Sequence, residues 1–120
     1  MLLVFGIGIS SAKAGALEDI LVAARENRNE VVMDLVRRGM DPNTSDRAGT
    51  TLLMMAAANG NQELLDFLIA SRANMMKQNG FGDTAVAVAA LNGHLAIVRR
   101  LADAGAVLDG KGWTPLQYAA

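Results

Sequence analysis

The sequence contains no cysteine. Disulfides, thiol catalysis and thiolate metal sites are therefore excluded together, while the compartment stays open, because a disulfide-free chain survives in oxidising and reducing surroundings alike. There is a single histidine, His94, so a zinc site built on a histidine pair cannot form. Proline occurs twice, and the aromatics are three Phe, one Trp and one Tyr. The interior must be built from Ala, Leu, Val and Met, a set that suits tightly packed helices better than a β-sandwich. An excess of one charge is also missing, with 11 Lys and Arg against 12 Asp and Glu. Arg37–Arg38 and Arg99–Arg100 lie far apart in the chain, and without a clustered basic stripe a nucleic-acid partner is not expected. No apolar run approaches the roughly 18 residues that would span a bilayer.

What is present begins with a short apolar segment. Leu2 to Ile9 are apolar or glycine, followed by Ser10-Ser11 and the small-x-small triplet Ala12-Lys13-Ala14. This is the order of a secretory signal, with cleavage expected after Ala14 and a mature chain starting at Gly15, although no Lys or Arg precedes the apolar part. The other reading keeps these residues as an apolar cap on the first folded unit of a chain that stays in the cytoplasm.

Sliding the sequence against itself exposes a repeat. Gly49 and Thr51 recur as Gly82 and Thr84, Leu53, Ala56 and Ala57 as Val86, Ala89 and Ala90, and Leu64, Leu65 and Leu68 as Ile97, Val98 and Leu101, always at an offset of 33 residues. The same step backwards reaches Ala23, Ala24, Val31, Val32 and Leu35. A fixed period of this length means stacked units sharing one continuous core. Each unit reads as two helices. Thr51, Thr84 and Thr114 are N-cap candidates, the last followed by Pro115. Asn59-Gly60 and Asn92-Gly93 end the first helices, and Gly39 and Gly105 end the second. Arg72 stands where those last two glycines would recur.

These residues resemble a known family. Gly112-Trp113-Thr114-Pro115-Leu116-Gln117-Tyr118-Ala119-Ala120 looks like the G-x-T-P-L-H-x-A-A opening of an ankyrin repeat, and Gly105-Ala106 and Met40-Asp41-Pro42-Asn43 look like variants of its G-A-D-x-N close. The resemblance implies an all-α ankyrin-repeat solenoid, in which helix-turn-helix units are stacked and short β-hairpin loops project as fingers beside a concave face. The expected domain runs over residues 15–120, in units of about 17–45, 46–78, 79–108 and a partial 109–120. Met54, Ala87 and Gln117 replace the family's histidine, so its usual hydrogen bond to the threonine is expected to be absent. The finger between Ala106 and Gly112 is expected to be short. Ending after one helix, the last unit suggests a chain that continues.

Candidate chemistry is sparse. His94 opens a second helix, where a capping or hydrogen-bonding role is expected, and no nucleophile is placed to serve it. Glu18–Asp19 and Asp41–Asp46 read as solvated carboxylates, and Gly6-x-Gly8 lacks the context of a nucleotide loop. No catalytic residue, cofactor or metal is expected. The resemblance instead implies a partner protein, met by Arg47, Phe81, Asp83 and Trp113 on the fingers and by Ala58, Asn59, Leu91 and Asn92 in the groove. The second helices, with Glu63, Asp66, Arg99 and Asp103, read as an ordinary solvated surface. The leading expectation is a module that binds or protects an exported protein in the bacterial periplasm. A secreted effector engaging a host protein is the alternative, and an enzyme would need a polar pocket that this alanine-rich groove does not offer.

Overall fold

The computed structural model describes residues 15–105. They form six helices: α1 (15–25), α2 (Asn29–Arg37), α3 (Leu52–Asn59), α4 (Gln62–Ala70), α5 (Ala85–Leu91) and α6 (Leu95–Asp103). The turns inside the pairs α1–α2, α3–α4 and α5–α6 are so short that each pair must fold back on itself as antiparallel neighbours. Among the described residues the fold is an all-α repeat without named strands.

The first helices start where the threonines predict. Thr51 and Thr84 are extended, and each hydroxyl accepts from the backbone three residues on, Met54 N–H at 3.1 Å and Ala87 N–H at 3.3 Å. At α3 the cap is reciprocal, because Thr51 N–H donates to Met54 Sδ at 3.5 Å. This corrects the expectation of an absent partner: a thioether is a weak acceptor, but it is long enough to reach back. Ala87 has no such atom, so α5 keeps only half of the cap. At α4, Asn61 Oδ1 takes Leu64 N–H at 3.2 Å.

The second helices end in left-handed residues. Gly39 and Gly105 have φ of 115° and 103°, and Arg72 adopts φ 67° in the same place. An L-residue there costs about 1–2 kcal/mol relative to glycine. The unit boundary holds it nonetheless, since Ala73 N–H bonds Leu68 O at 3.0 Å across the turn.

The core follows the repeat. Ile20, Leu53 and Val86 are buried at one level, and Ala23, Ala56 and Ala89 let the first helices approach closely. Val32, Leu65 and Val98, with Leu64, Ile97, Leu68 and Leu101, fill the space between first and second helices. Spacings of three and four put these side chains on one stripe of each second helix. α3 is different: Leu52 to Ala57 are all buried, as befits the central first helix with a neighbour on either side.

The loops between units are turns rather than strand ladders. Among the described residues one antiparallel bridge, Ser45 to Thr51, is formed. The hairpin expectation shrinks to this because side chains take the amides that a ladder would use. Asp46 Oδ1 accepts from Ala48 and Thr50 N–H, each at 2.9 Å, and Asn79 Oδ1 accepts from Phe81 and Asp83 N–H at 2.9 and 3.0 Å.

Candidate functional site: fingers and concave face

Those two side chains build the fingers. Asp46 and Asn79 sit at equivalent positions, and each closes a tight loop around itself. The loops are also tied together, with Gly80 N–H donating to Ala48 O at 2.7 Å. A Cβ on Gly80 would lie 3.1 Å from that oxygen, which explains glycine at the join. The first finger is further anchored to α1 by Arg25 Nη2, 3.1 Å from Asp46 Oδ2. Burial opposes ionisation of this carboxyl, but it is outweighed by the Thr50 N–H, the Arg25 hydrogen bond, the Ala48 N–H and the Arg25 charge. Asp46 is held below the ordinary aspartate pKa.

The fingertip residues are thereby presented rather than buried. Arg47 is exposed, Asp83 is half-buried, and Phe81 is 80% exposed on a loop whose backbone is held by the Asn79 amide. A large aromatic on a fixed support, with so little of it covered, is unusual for a side chain whose purpose is packing. In the groove, Leu91 at the end of α5 is 68% exposed, Ala58 is half-buried and Asn92 is exposed.

Asn59 differs from its neighbours in the groove. Its Nδ2 donates to Ala24 O, Arg25 O and Asn27 Oδ1 at 3.4, 3.2 and 3.1 Å. Asn61 continues the ladder, donating to Asn27 Oδ1 at 3.0 Å and Asn29 Oδ1 at 2.6 Å. Asn59 therefore holds two units together, and its donors are committed before a partner arrives. Trp113 lies outside the described residues, as do residues 1–14, the short last finger and the helix expected at Thr114.

Sequence reasoning missed the α1 side of the groove. A hollow of about 380 Å³ is lined by Glu18, Leu21, Val22, Arg25, Asp46, Arg47 and Ala48. Arg25 stands one repeat before Ala58, so stepping the site back by the period would have found it.

His94 is not a side-chain cap of α6. Its Nε2 lies 3.0 Å from Ala58 O, in the preceding unit. Two second-helix charges are also less idle than expected. Glu63 Oε1 accepts from Asn29 Nδ2 at 2.7 Å, and Arg100 Nε meets Asp66 Oδ1 at 2.7 Å, each crossing a unit boundary. Both pairs are exposed enough to contribute little individually. Among the described residues no cluster of His, Asp and Glu is arranged to hold a metal, and no helix is long and apolar enough to cross a membrane.

A family model for "Ankyrin repeats (3 copies)" matches residues 20–106 and 53–120. The chain belongs to the ankyrin-repeat family. A glycerophosphocholine phosphodiesterase, GDE1, from Candida albicans is 33% identical over 83% of this chain and 9% of its own length. The potassium channel AKT1 of Oryza sativa is 36% identical over 61% of the chain and 8% of its own. A putative ankyrin repeat protein, L271, of Acanthamoeba polyphaga mimivirus is 32% identical over 77% of the chain and 13% of its own. The chain spans about a tenth of the length of these relatives. The likeness is one of repeats, and ankyrin repeats are protein–protein interaction modules.

Proposed function

We propose that this chain binds another protein through its fingers and concave face, and that it does so outside the cytoplasm of a bacterium, holding or protecting an exported protein. The observation that carries the binding surface is Phe81, an almost uncovered aromatic on a loop fixed by Asn79. Around it, Arg47, Asp83, Ala58, Leu91 and Asn92 form a mixed apolar and polar surface of the kind that specific interfaces use. Asn59 supports this surface from behind. The proposal assigns residues 15–120 to the binding domain, in units of about 17–45, 46–78, 79–108 and 109–120. It assigns residues 1–14 to an export signal, a reading supported by the order of apolar, small and polar residues there. Neither catalysis nor a cofactor enters it: Asp46 is engaged in loop closure and in an ion pair with Arg25, and His94 is engaged with Ala58 O.

The deciding experiment is capture from an envelope extract, identification by mass spectrometry, and titration of the captured partner against the parent chain and Phe81→Ala. Loss of affinity in a folded Phe81→Ala supports the finger surface. Binding abolished instead by charge reversals on α4 and α6, with Phe81→Ala unchanged, would place the interface on the opposite side. N-terminal sequencing of chain expressed in a bacterium with a general secretory pathway tests the export assignment, through a start at Gly15 against an intact Met1.

A further inference from the structure

Asparagine precedes glycine three times in this chain, at Asn59-Gly60, Asn79-Gly80 and Asn92-Gly93. This dipeptide is chemically labile in water. The glycine backbone nitrogen, once deprotonated, attacks the asparagine Cγ. A C–N bond forms, the Cγ–Nδ2 bond breaks, and Nδ2 leaves as ammonia. The resulting succinimide is then opened by water at either carbonyl, giving aspartate or isoaspartate. Glycine permits the approach because it carries no side chain to obstruct it. The reaction needs a free glycine N–H and a side-chain amide able to swing towards it.

The glycine N–H is hydrogen-bonded at all three sites, but at two of them a contact to another unit also restrains the reacting pair. At Asn79 the Oδ1 is held by Phe81 and Asp83 N–H, and the nucleophile, Gly80 N–H, is spent on Ala48 O at 2.7 Å. At Asn59 the Nδ2 is held by three acceptors on the preceding unit. Gly60 is also hemmed in, since a Cβ there would meet the His94 ring at 2.9 Å. At Asn92 both groups are held only within their own helix turn. The residue is exposed, and among the described residues its side chain makes one hydrogen bond, Nδ2 to Val88 O at 2.8 Å, within the last turn of its own helix. Gly93 N–H bonds Ala90 O at 3.1 Å in the same turn, and among the described residues nothing lies within 4 Å of where a Cβ on Gly93 would sit. When that turn frays, both reacting groups are released together.

The repeat itself explains the difference. Asn59 reaches an acceptor on Asn27, but one unit later the equivalent residue is Gly60, which has none. The carbonyl of Ala58, equivalent to that of Arg25, is taken by His94 Nε2. Among the described residues Asn92 is left without an acceptor on the preceding unit.

We infer that Asn92 is the site of spontaneous deamidation in the folded chain, and that Asn59 and Asn79 are protected by the contacts between units. Conversion places a carboxylate at the C-terminus of α5, where the helix dipole disfavours negative charge. It also removes the donor to Val88 O. The product has one added negative charge in the groove beside Leu91, a change to the proposed binding surface that needs no enzyme.

The test is incubation of the folded full chain in mildly alkaline buffer, followed by digestion and mass spectrometry of the three peptides. Asn92 should convert at least about tenfold faster than Asn59 or Asn79, since each protecting hydrogen bond adds to the free energy of opening. In denaturant the three rates should converge. Asn27→Gly, which keeps a residue suited to φ 61° and deletes one acceptor of Asn59, should speed conversion at Asn59 and leave Asn92 unchanged. Equal rates in the folded chain, or Asn79 reacting first, overturns the inference. An unaltered Asn59 rate in folded Asn27→Gly overturns its hydrogen-bond basis.

Discussion

His94 and Gly60 form a lock between consecutive units: the imidazole lies against the glycine so closely that an added Cβ would be 2.9 Å from the ring, while Nε2 reaches Ala58 O at 3.0 Å. Gly60 is needed twice over, because its φ of 68° is also left-handed. Gly60→Ala should destabilise the chain through both effects, and the same substitution in a His94→Ala background should cost less. Urea unfolding of the four chains of this double-mutant cycle checks it. His94→Ala alone should lose about 1 kcal/mol, the net value of one hydrogen bond. Additive effects would show that the ring and the glycine do not act on each other.

Arg72 should be an easy place to stabilise the fold. Gly39 and Gly105 show what the position prefers, and Arg72 holds φ 67° with no ion pair among the described residues. Arg72→Gly should raise stability by up to about 1 kcal/mol, the cost of the left-handed conformation less the entropy that glycine adds to the unfolded chain. A fall in the thermal midpoint would mean that the arginine stem packs usefully.

Asp46 should make stability depend on pH at the acid end. Its folded pKa lies below the unfolded value near 3.9. The carboxylate therefore contributes stability that is fully present above the unfolded pKa and is lost as pH falls through the folded one. Asp46→Asn should keep the loop, as Asn79 does with the same two amide contacts, and should flatten this acid limb. Denaturant melts between neutral and strongly acid pH compare the two chains. An unchanged acid limb in the variant would place the titration elsewhere.

Leu68 is wholly buried on the inner stripe of α4. Leu68→Ala should cost about 2–5 kcal/mol, the usual range for truncating a core leucine. A cost below about 1 kcal/mol, the scale of a surface substitution, would argue that the units are loosely packed there.

Phe81→Ala should leave folding intact and weaken partner binding by more than about 1 kcal/mol, the level that marks a meaningful interface contact. Glu63→Ala should leave binding unchanged and trim stability slightly, because it removes the acceptor of Asn29. Calorimetric titration and thermal melts on the same samples separate the two effects.

The period of 33, the threonine caps and the apolar stripes were all legible in the sequence, because they are local and repeat in register. Burial of Leu53, Ala56, Leu64, Leu68, Val86, Ala89, Ile97, Val98 and Leu101 follows from that register alone. The left-handed turn at Arg72 did not, since an arginine in a glycine place pointed to a locally different join, and the structure keeps the turn. What the tertiary structure decided is the fate of the polar residues. Asn59 and Asn92 occupy the same position in successive units, yet one is clamped to the preceding unit and the other is held only within its own helix turn, because the acceptor supplied by Asn27 is missing at Gly60. Of the capping or hydrogen-bonding role expected for His94 the structure chose the second and made it a bridge, since the carbonyl it meets lies 36 positions earlier in the chain. A side chain's period is set by the helix it belongs to. Its hydrogen-bond partner is set by whichever neighbouring unit folding brings against it.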